Sequence, residues 1–269
     1  MRPHILLVLL LLSAACRRPS PRLAGMLTPT GQPNPPIATT PKPPIADYSR
    51  QLKAGDELVA QGNEPFWSLT INPSKGIMRF KTLAGDSINT PVPERIPDDN
   101  GAFRYDAQVE SGRLTARFRP DSCVDSMSGQ RSDYRVDVTA GGKTYSGCGV
   151  SLRQVVLLQD IWVMTDFGGR TLTAGGPRNE LPRLEISLTE GRVTGTTGCN
   201  RLNGPVKADS RRIQFGPLAT TRMACLNEAG RLAGDFLEAL SQTLTYRVAE
   251  GRLTLLRDGK PIMTFKKVD

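Results

Sequence analysis

Histidine is all but missing from this chain: His4 is the only one among 269 residues. It stands in an N-terminal stretch where Arg2 is followed by the apolar run I-L-L-V-L-L-L-L (5–12) and the small residues S-A-A-C (13–16). That run is too short to span a bilayer, which takes about 20 apolar residues. Its charged start and small-residue end are those of an export signal, expected over residues 1–15. Cleavage removes His4. The mature chain then has no imidazole, which excludes Ser-His-Asp and Cys-His catalysis, histidine general bases and every histidine-ligated zinc, copper or iron centre. Other signatures are missing as well. There is no C-x-x-C, phosphate loop, dinucleotide fingerprint, G-x-S-x-G elbow or S-x-x-K anywhere, so the usual nucleotide, zinc-ribbon and serine-hydrolase chemistries lose their scaffolds. Aromatic residues make up 6% and hydrophobic residues 38%, enough for one or two globular cores.

What is present begins at Cys16. L-S-A-A-C (12–16) resembles the bacterial lipobox, with Ser13 where leucine usually stands and Leu12 one place further out. The resemblance implies that Cys16 becomes the N-terminus and is acylated, palmitate included, giving a lipid anchor. A conventional secretory signal cut near Ala15 is the alternative. Arg17 in the following position implies sorting to the outer membrane, facing the periplasm. Losing Arg2 lowers the formal charge from +9 to +8. Residues 16–51 carry +4 of it, residues 52–155 balance to zero and residues 156–269 carry +4. In an exported protein this excess favours anionic lipid or lipopolysaccharide phosphates over nucleic acid; solubility alone is the plainer explanation. Nine prolines fall within residues 17–50 without hydrophobic periodicity. Residues 16–51 therefore read as a disordered polyproline-type tether, about 3.1 Å per residue and up to roughly 100 Å long.

From Leu52 onward apolar and polar residues alternate over short segments: F-W-S-L-T-I (66–71), G-I-M-R-F-K-T (76–82), R-L-T-A-R-F-R (113–119), Y-R-V-D-V-T (134–139) and K-T-Y-S (143–146). Glycine-bearing turns such as Ala140-Gly141-Gly142 separate them, the pattern of a half-buried antiparallel sheet. A second set follows at 184–188, 192–196, 213–215, 244–248, 252–256 and 262–265, with Asp258-Gly259 turning the last hairpin. Ala229, Leu232, Ala233, Phe236, Leu237 and Leu240 have helical spacing, with Asn227 as N-cap. The expected fold is β-rich α+β: two small antiparallel sheet or barrel-like domains, 52–155 and 156–269. The helix is expected to cover the open side of the second sheet.

Besides Cys16 there are four cysteines. Three connectivities are possible. Cys123–Cys148 and Cys199–Cys225 are expected because each pair lies within one proposed domain and closes a loop of about 26 residues, worth roughly 3 to 4 kcal/mol in chain entropy. A four-thiolate zinc site would need both domains to converge.

These residues carry a further resemblance. I-W-V-M (161–164), G-C-N-R-L-N-G (198–204), F-G-P-L-A-T-T-R-M-A-C (215–225), D-F-L-E-A-L (235–240) and L-T-L-L-R-D-G (253–259) occur in the order seen in the META domain of HslJ-type bacterial proteins, which residue 158 onward resembles. That implies a compact sheet with a packed helix and a loose association with heat or antibiotic stress, but no catalytic residue. G-N-E-P-F-W (62–67), C-V-D-S-M-S-G (123–129) and Y-S-G-C-G (145–149) resemble an uncharacterised family of bacterial envelope proteins.

Within G-T-T-G-C-N-R-L-N-G (195–204) the glycines and asparagines suit tight turns pinned by Cys199. Asn200, Arg201 and Arg222 are candidates for a ligand groove; Cys199 has no histidine to activate it. Asp121 and Asp125 flank Cys123 but lack a D-x-D-x-D-G calcium loop, and Asp98-Asp99 reads as a solvated turn. Phe66, Trp67 and Trp162 are expected in cores. No catalytic residue, cofactor or metal is assigned. The expected protein is a monomeric, lipid-anchored envelope module with a non-catalytic binding or maintenance role under stress and with envelope proteins or anionic lipid as partners. An inhibitor of a lysozyme-type hydrolase and a carboxylate-based enzyme are the alternatives.

Overall fold

The computed structural model describes residues 44–110, 112–174, 180–225 and 227–268, with only the backbone of Asn227. The leader, Cys16, the tether through residue 43 and the Asn227 side-chain cap lie outside the described residues. All described residues belong to one compact unit.

The last residues of the expected tether are folded instead: Ile45 is buried, and α1 (Ser49–Ala54) follows, ahead of the first alternating segment, with Leu52 facing inward. The chain then enters a nine-stranded antiparallel sheet. Its strands are β1 (Leu58–Asn63), β2 (Phe66–Asn72), β3 (Ile77–Thr82), β4 (Ser87–Pro91), β5 (Arg95–Pro97), β6 (Phe103–Val109), β7 (Gly112–Val124), β8 (Arg131–Ala140) and β9 (Lys143–Ser151). They lie in the order β4-β3-β2-β1-β9-β8-β7-β6-β5. The sheet curls because one face of every strand must leave water. Trp67, Leu69, Ile71, Met78, Phe80, Phe103, Leu114, Phe118, Val136 and Val138 line its inner face and form one core. Phe103 stacks on Phe118 at 5.0 Å, and Phe80 meets Tyr145 at 5.2 Å. Ala140 pairs with Lys143 across Gly141-Gly142, both at positive φ, so this hairpin turns where its glycines predict.

After α2 (Arg153–Val156) come β10 (Ile161–Phe167), β11 (Arg170–Thr171), β12 (Arg183–Ser187), β13 (Arg192–Thr196), β14 (Arg201–Ala208), β15 (Arg212–Phe215), β16 (Ala219–Thr220), α3 (Asn227–Leu240), β17 (Thr243–Ala249), β18 (Arg252–Arg257) and β19 (Lys260–Lys267). Pairing of β10 with both β12 and β19 closes β10-β12-β13-β14-β15-β17-β18-β19 into an eight-stranded barrel. Alternate residues fill it: Trp162, Met164, Leu184, Ile186, Val193, Leu202, Leu253, Leu255, Met263 and Phe265 are all buried. A barrel of this strand number is just wide enough for side chains.

Closure changes what the helix does. An open second sheet would have had a face for α3 to cover, but a barrel has only ends. The apolar stripe of α3 therefore sits at one end, near Pro182 and Thr197, and sends Phe236 inward to Phe265 at 6.4 Å. The opposite end carries the turn through Asp209 and meets the curled sheet. There Leu52, Val59, Val150, Leu152, Val155 and Leu158 join the barrel core. Arg211 pairs with Asp133 of β8 at 3.5 Å.

Candidate functional site

The cysteine pairs are those expected, Cys123–Cys148 with Cα atoms 5.5 Å apart and Cys199–Cys225 at 6.1 Å. The 195–204 stretch is organised around the second. Thr197 N–H donates to the Asn200 carbonyl at 2.8 Å, and Thr197 Oγ1 accepts from Asn200 N–H at 3.0 Å, making a single turn. Gly198, at φ +85°, occupies the left-handed region there. The rest of the stretch is not turn. From Arg201 it runs as β14, whose leucine and valine face the barrel, because R-L-N-G-P-V-K-A alternates once its asparagine and proline are placed on the outer side.

Asn200 is fully engaged. Its Oδ1 accepts from Met223 N–H at 2.8 Å and the Thr221 hydroxyl at 2.9 Å, while Nδ2 donates to Met223 O at 3.3 Å and Cys225 Sγ at 3.0 Å. The side chain thus clamps the 221–225 segment onto the turn at 197–200. Arg201 and Arg222 are exposed, and neither lines the clefts described below. The three residues do not converge on a common groove.

The C-V-D-S-M-S-G stretch is built alike. Buried Asp125 accepts from Met127 N–H (3.2 Å), Ser128 N–H (2.7 Å), the Ser128 hydroxyl (2.7 Å) and Asn63 Nδ2 (2.9 Å). Burial pushes this carboxyl up, but the hydrogen bonds from Ser128, Asn63 and Met127 outweigh it and hold the group below its ordinary value of 3.8. Asp121 instead meets Arg135 at 3.4 Å. Asp98 caps a short 3-10 turn through Asp99 N–H and pairs with Arg117 at 2.7 Å. Trp67 lies against Gly62 and donates from Nε1 to Ser146 O at 3.2 Å; a Cβ at Gly62 would strike the indole. Trp67 and Trp162 are buried as expected, while Phe66, next along the strand and so on the opposite face, is 46% exposed. Y-S-G-C-G lies within β9.

Tyr48, absent from the sequence-based candidates, accepts from Gln130 Nε2 at 2.6 Å where the sheet meets the barrel. Burial pushes its hydroxyl up to about 12. Tyr246 is raised further by burial and by Asp209, and donates to the Asp209 carbonyl at 2.8 Å. Neither phenol ionises near neutrality, so both serve as hydrogen-bonding groups rather than bases.

Concavities among the described residues include a cleft, a groove and a smaller pocket. A cleft of about 460 Å³ at the α3 end of the barrel is lined by Arg170, Glu180, Glu228, Arg231 and Asp235. A groove of about 400 Å³ lies on the outer face of the curled sheet between α1 and β3. A pocket of about 200 Å³ beside Cys148 shares Arg50 and Gln51 with it. Among the described residues no three His, Cys, Asp or Glu side chains are grouped to hold a metal ion.

The C-terminal half is thus a closed, side-chain-filled β-barrel capped by one amphipathic helix and stapled by a disulfide. Residues 155–269 match the META domain. Two solved NMR structures are similar. One is 23% identical, covering 42% of this chain and 93% of its own, with a TM-score of 0.35. The other, a protein from Burkholderia xenovorans, is 25% identical and covers 43% and 86%, with the same TM-score. No curated protein matches the chain.

Proposed function

We propose that this chain is a cell-envelope lipoprotein, anchored through Cys16, whose META domain and curled sheet act together as a non-catalytic binding module of envelope maintenance. The single observation that supports it best is where the polar chemistry goes. Asn200 and Asp125, the most distinctive polar residues of the two motifs, spend their hydrogen-bonding capacity on holding loops beside disulfides. Both cores are packed with side chains. What remains for function is the outside of the molecule. Two disulfides suit an oxidising compartment, and the leader ending at Cys16 suits an anchor.

Fractionation tests the anchoring. The wild-type chain is expected in the membrane fraction after washing at about 1 M salt, where the screening length is about 3 Å, and Cys16→Ser is expected in the soluble fraction after the same wash. A Cys16→Ser chain that stays with the membrane under those conditions overturns the reading.

A further inference from the structure

The two halves of the curled sheet treat their cations differently. On the β6–β8 half five arginines, all but Arg131, are paired: Arg104 and Arg113 with Asp106, Arg117 with Asp98, Arg119 with Asp137 and Arg135 with Asp121. On the β2–β3 half they are not. Arg50, Arg79 and Lys81 line one groove with a single carboxylate, Asp56, and none of the three makes an ion pair among the described residues. Arg79 donates only to the neutral Asn89 carboxamide, at 2.9 Å. The groove floor between them is Ser68 and Thr70.

A second feature shares that face. Register pairs Trp67 with Thr82 on the inner side, so the next pair, Phe66 with Leu83, points outward, joined by Leu83 N–H donating to Phe66 O at 3.0 Å. Phe66 is 46% and Leu83 79% exposed. Met127, 69% exposed, stands on the loop that Asn63 ties to β1. Side chains on one face of a strand repeat every second residue, about 7 Å apart. Lys81 therefore lies about 7 Å, and Arg79 about 13 Å, from the level of the Phe66–Leu83 pair. The polar layer of one leaflet is about 5 to 8 Å deep. With the strands near the membrane normal, an apolar tip one step below Lys81 matches that layering.

We infer that the Phe66–Leu83 end of β2–β3 meets a bilayer rich in anionic phospholipid, with Phe66, Leu83 and Met127 at the acyl boundary, Lys81 at the headgroup phosphates, and Arg79 and Arg50 just above them, within screening distance at low salt. Glu64 and Asp86 beside the tip keep it at the headgroup layer rather than deeper. This gives a place and a chemistry to the binding-module reading and rests on it. A weak second contact is useful to a chain already tethered at a membrane, since tethering raises its effective concentration there.

The test uses the unacylated Cys16→Ser chain and vesicles of phosphatidylglycerol and phosphatidylcholine in equal parts, against phosphatidylcholine alone, at low salt. Sedimentation with the anionic vesicles only is expected. Each cation near an anionic surface contributes about a fivefold factor in affinity, so R79Q/K81Q should weaken binding roughly 25-fold. F66S/L83S should weaken it about tenfold through lost apolar burial. R113Q/R119Q, which removes the same charge from the paired half, should retain binding. Equal binding by R79Q/K81Q and the parent, equal loss in R113Q/R119Q, or equal binding to neutral vesicles overturns the inference. Displacement by soluble glycerol phosphate would assign a free-anion site and overturn the bilayer. The anchoring reading stands or falls separately, on the salt-washed fractionation.

Discussion

At the scale of single residues, Asn200 and Asp125 show how a polar side chain can look functional and be structural. Asn200→Ala removes four hydrogen bonds and leaves the Met223 backbone to find water. It should lower unfolding free energy by about 1 to 3 kcal/mol in denaturant titration, whereas Arg222→Ala, on an exposed side chain, should stay within about 0.5 kcal/mol. Asp125 makes a prediction in pH. Its folded carboxyl lies below its ordinary value, so its contribution is fully present above that value and lost as pH falls through the folded one. Asp125→Asn should flatten the decline of stability between about pH 5 and about pH 2, read by denaturation at each pH; an unchanged slope would show that the loop does not depend on the charge. The sequence marked these positions by their cysteine neighbours but could not show where the carboxamide and carboxylate point. Their partners, Met223 and Asn63, are 23 and 62 residues away.

At the scale of elements, alternation placed β2, β3, β7, β8 and β9 and most barrel strands within a few residues, because one buried face demands a period of two. It missed β1, β4, β5, β6, β10 and β14, besides the two-residue β11 and β16. F-R-Y-D-A-Q-V has the right period but sits among Pro-rich turns, and R-L-N-G-P-V-K-A carries Gly204 and Pro205, which usually punctuate strands. In the structure Pro205 pairs with Arg192 inside the ladder. The helix was legible from its spacing, though its seat was not. Phe236→Ala should cost about 3 to 5 kcal/mol, as expected of a wholly buried phenylalanine. Leu237→Ala, only partly buried, should cost much less, and thermal melts of the two variants rank them. Gly62→Ala, facing the Trp67 indole, should cost about 1 to 3 kcal/mol by overpacking and shift the tryptophan fluorescence.

At the scale of the whole molecule, the curled sheet and the barrel share apolar surface: Val59 and Val150, on the strands of one, belong to the core of the other. Leu52→Ala should therefore destabilise the barrel as well as the sheet beside it, giving one cooperative transition at lower denaturant by about 2 to 5 kcal/mol; two separated transitions would show the units melting independently. The cysteine pattern, the scarcity of histidine, the alternation of strands and the spacing of α3 were fixed by the order of residues alone, since each depends on composition or on neighbours within a few positions. Which face of β2–β3 keeps its cations unpaired, that the second sheet closes on itself, and that Asn200 faces the 221–225 segment were decided only by folding. Each depends on what the chain brings alongside from 20 or more residues away, and a sequence carries that distance without its direction.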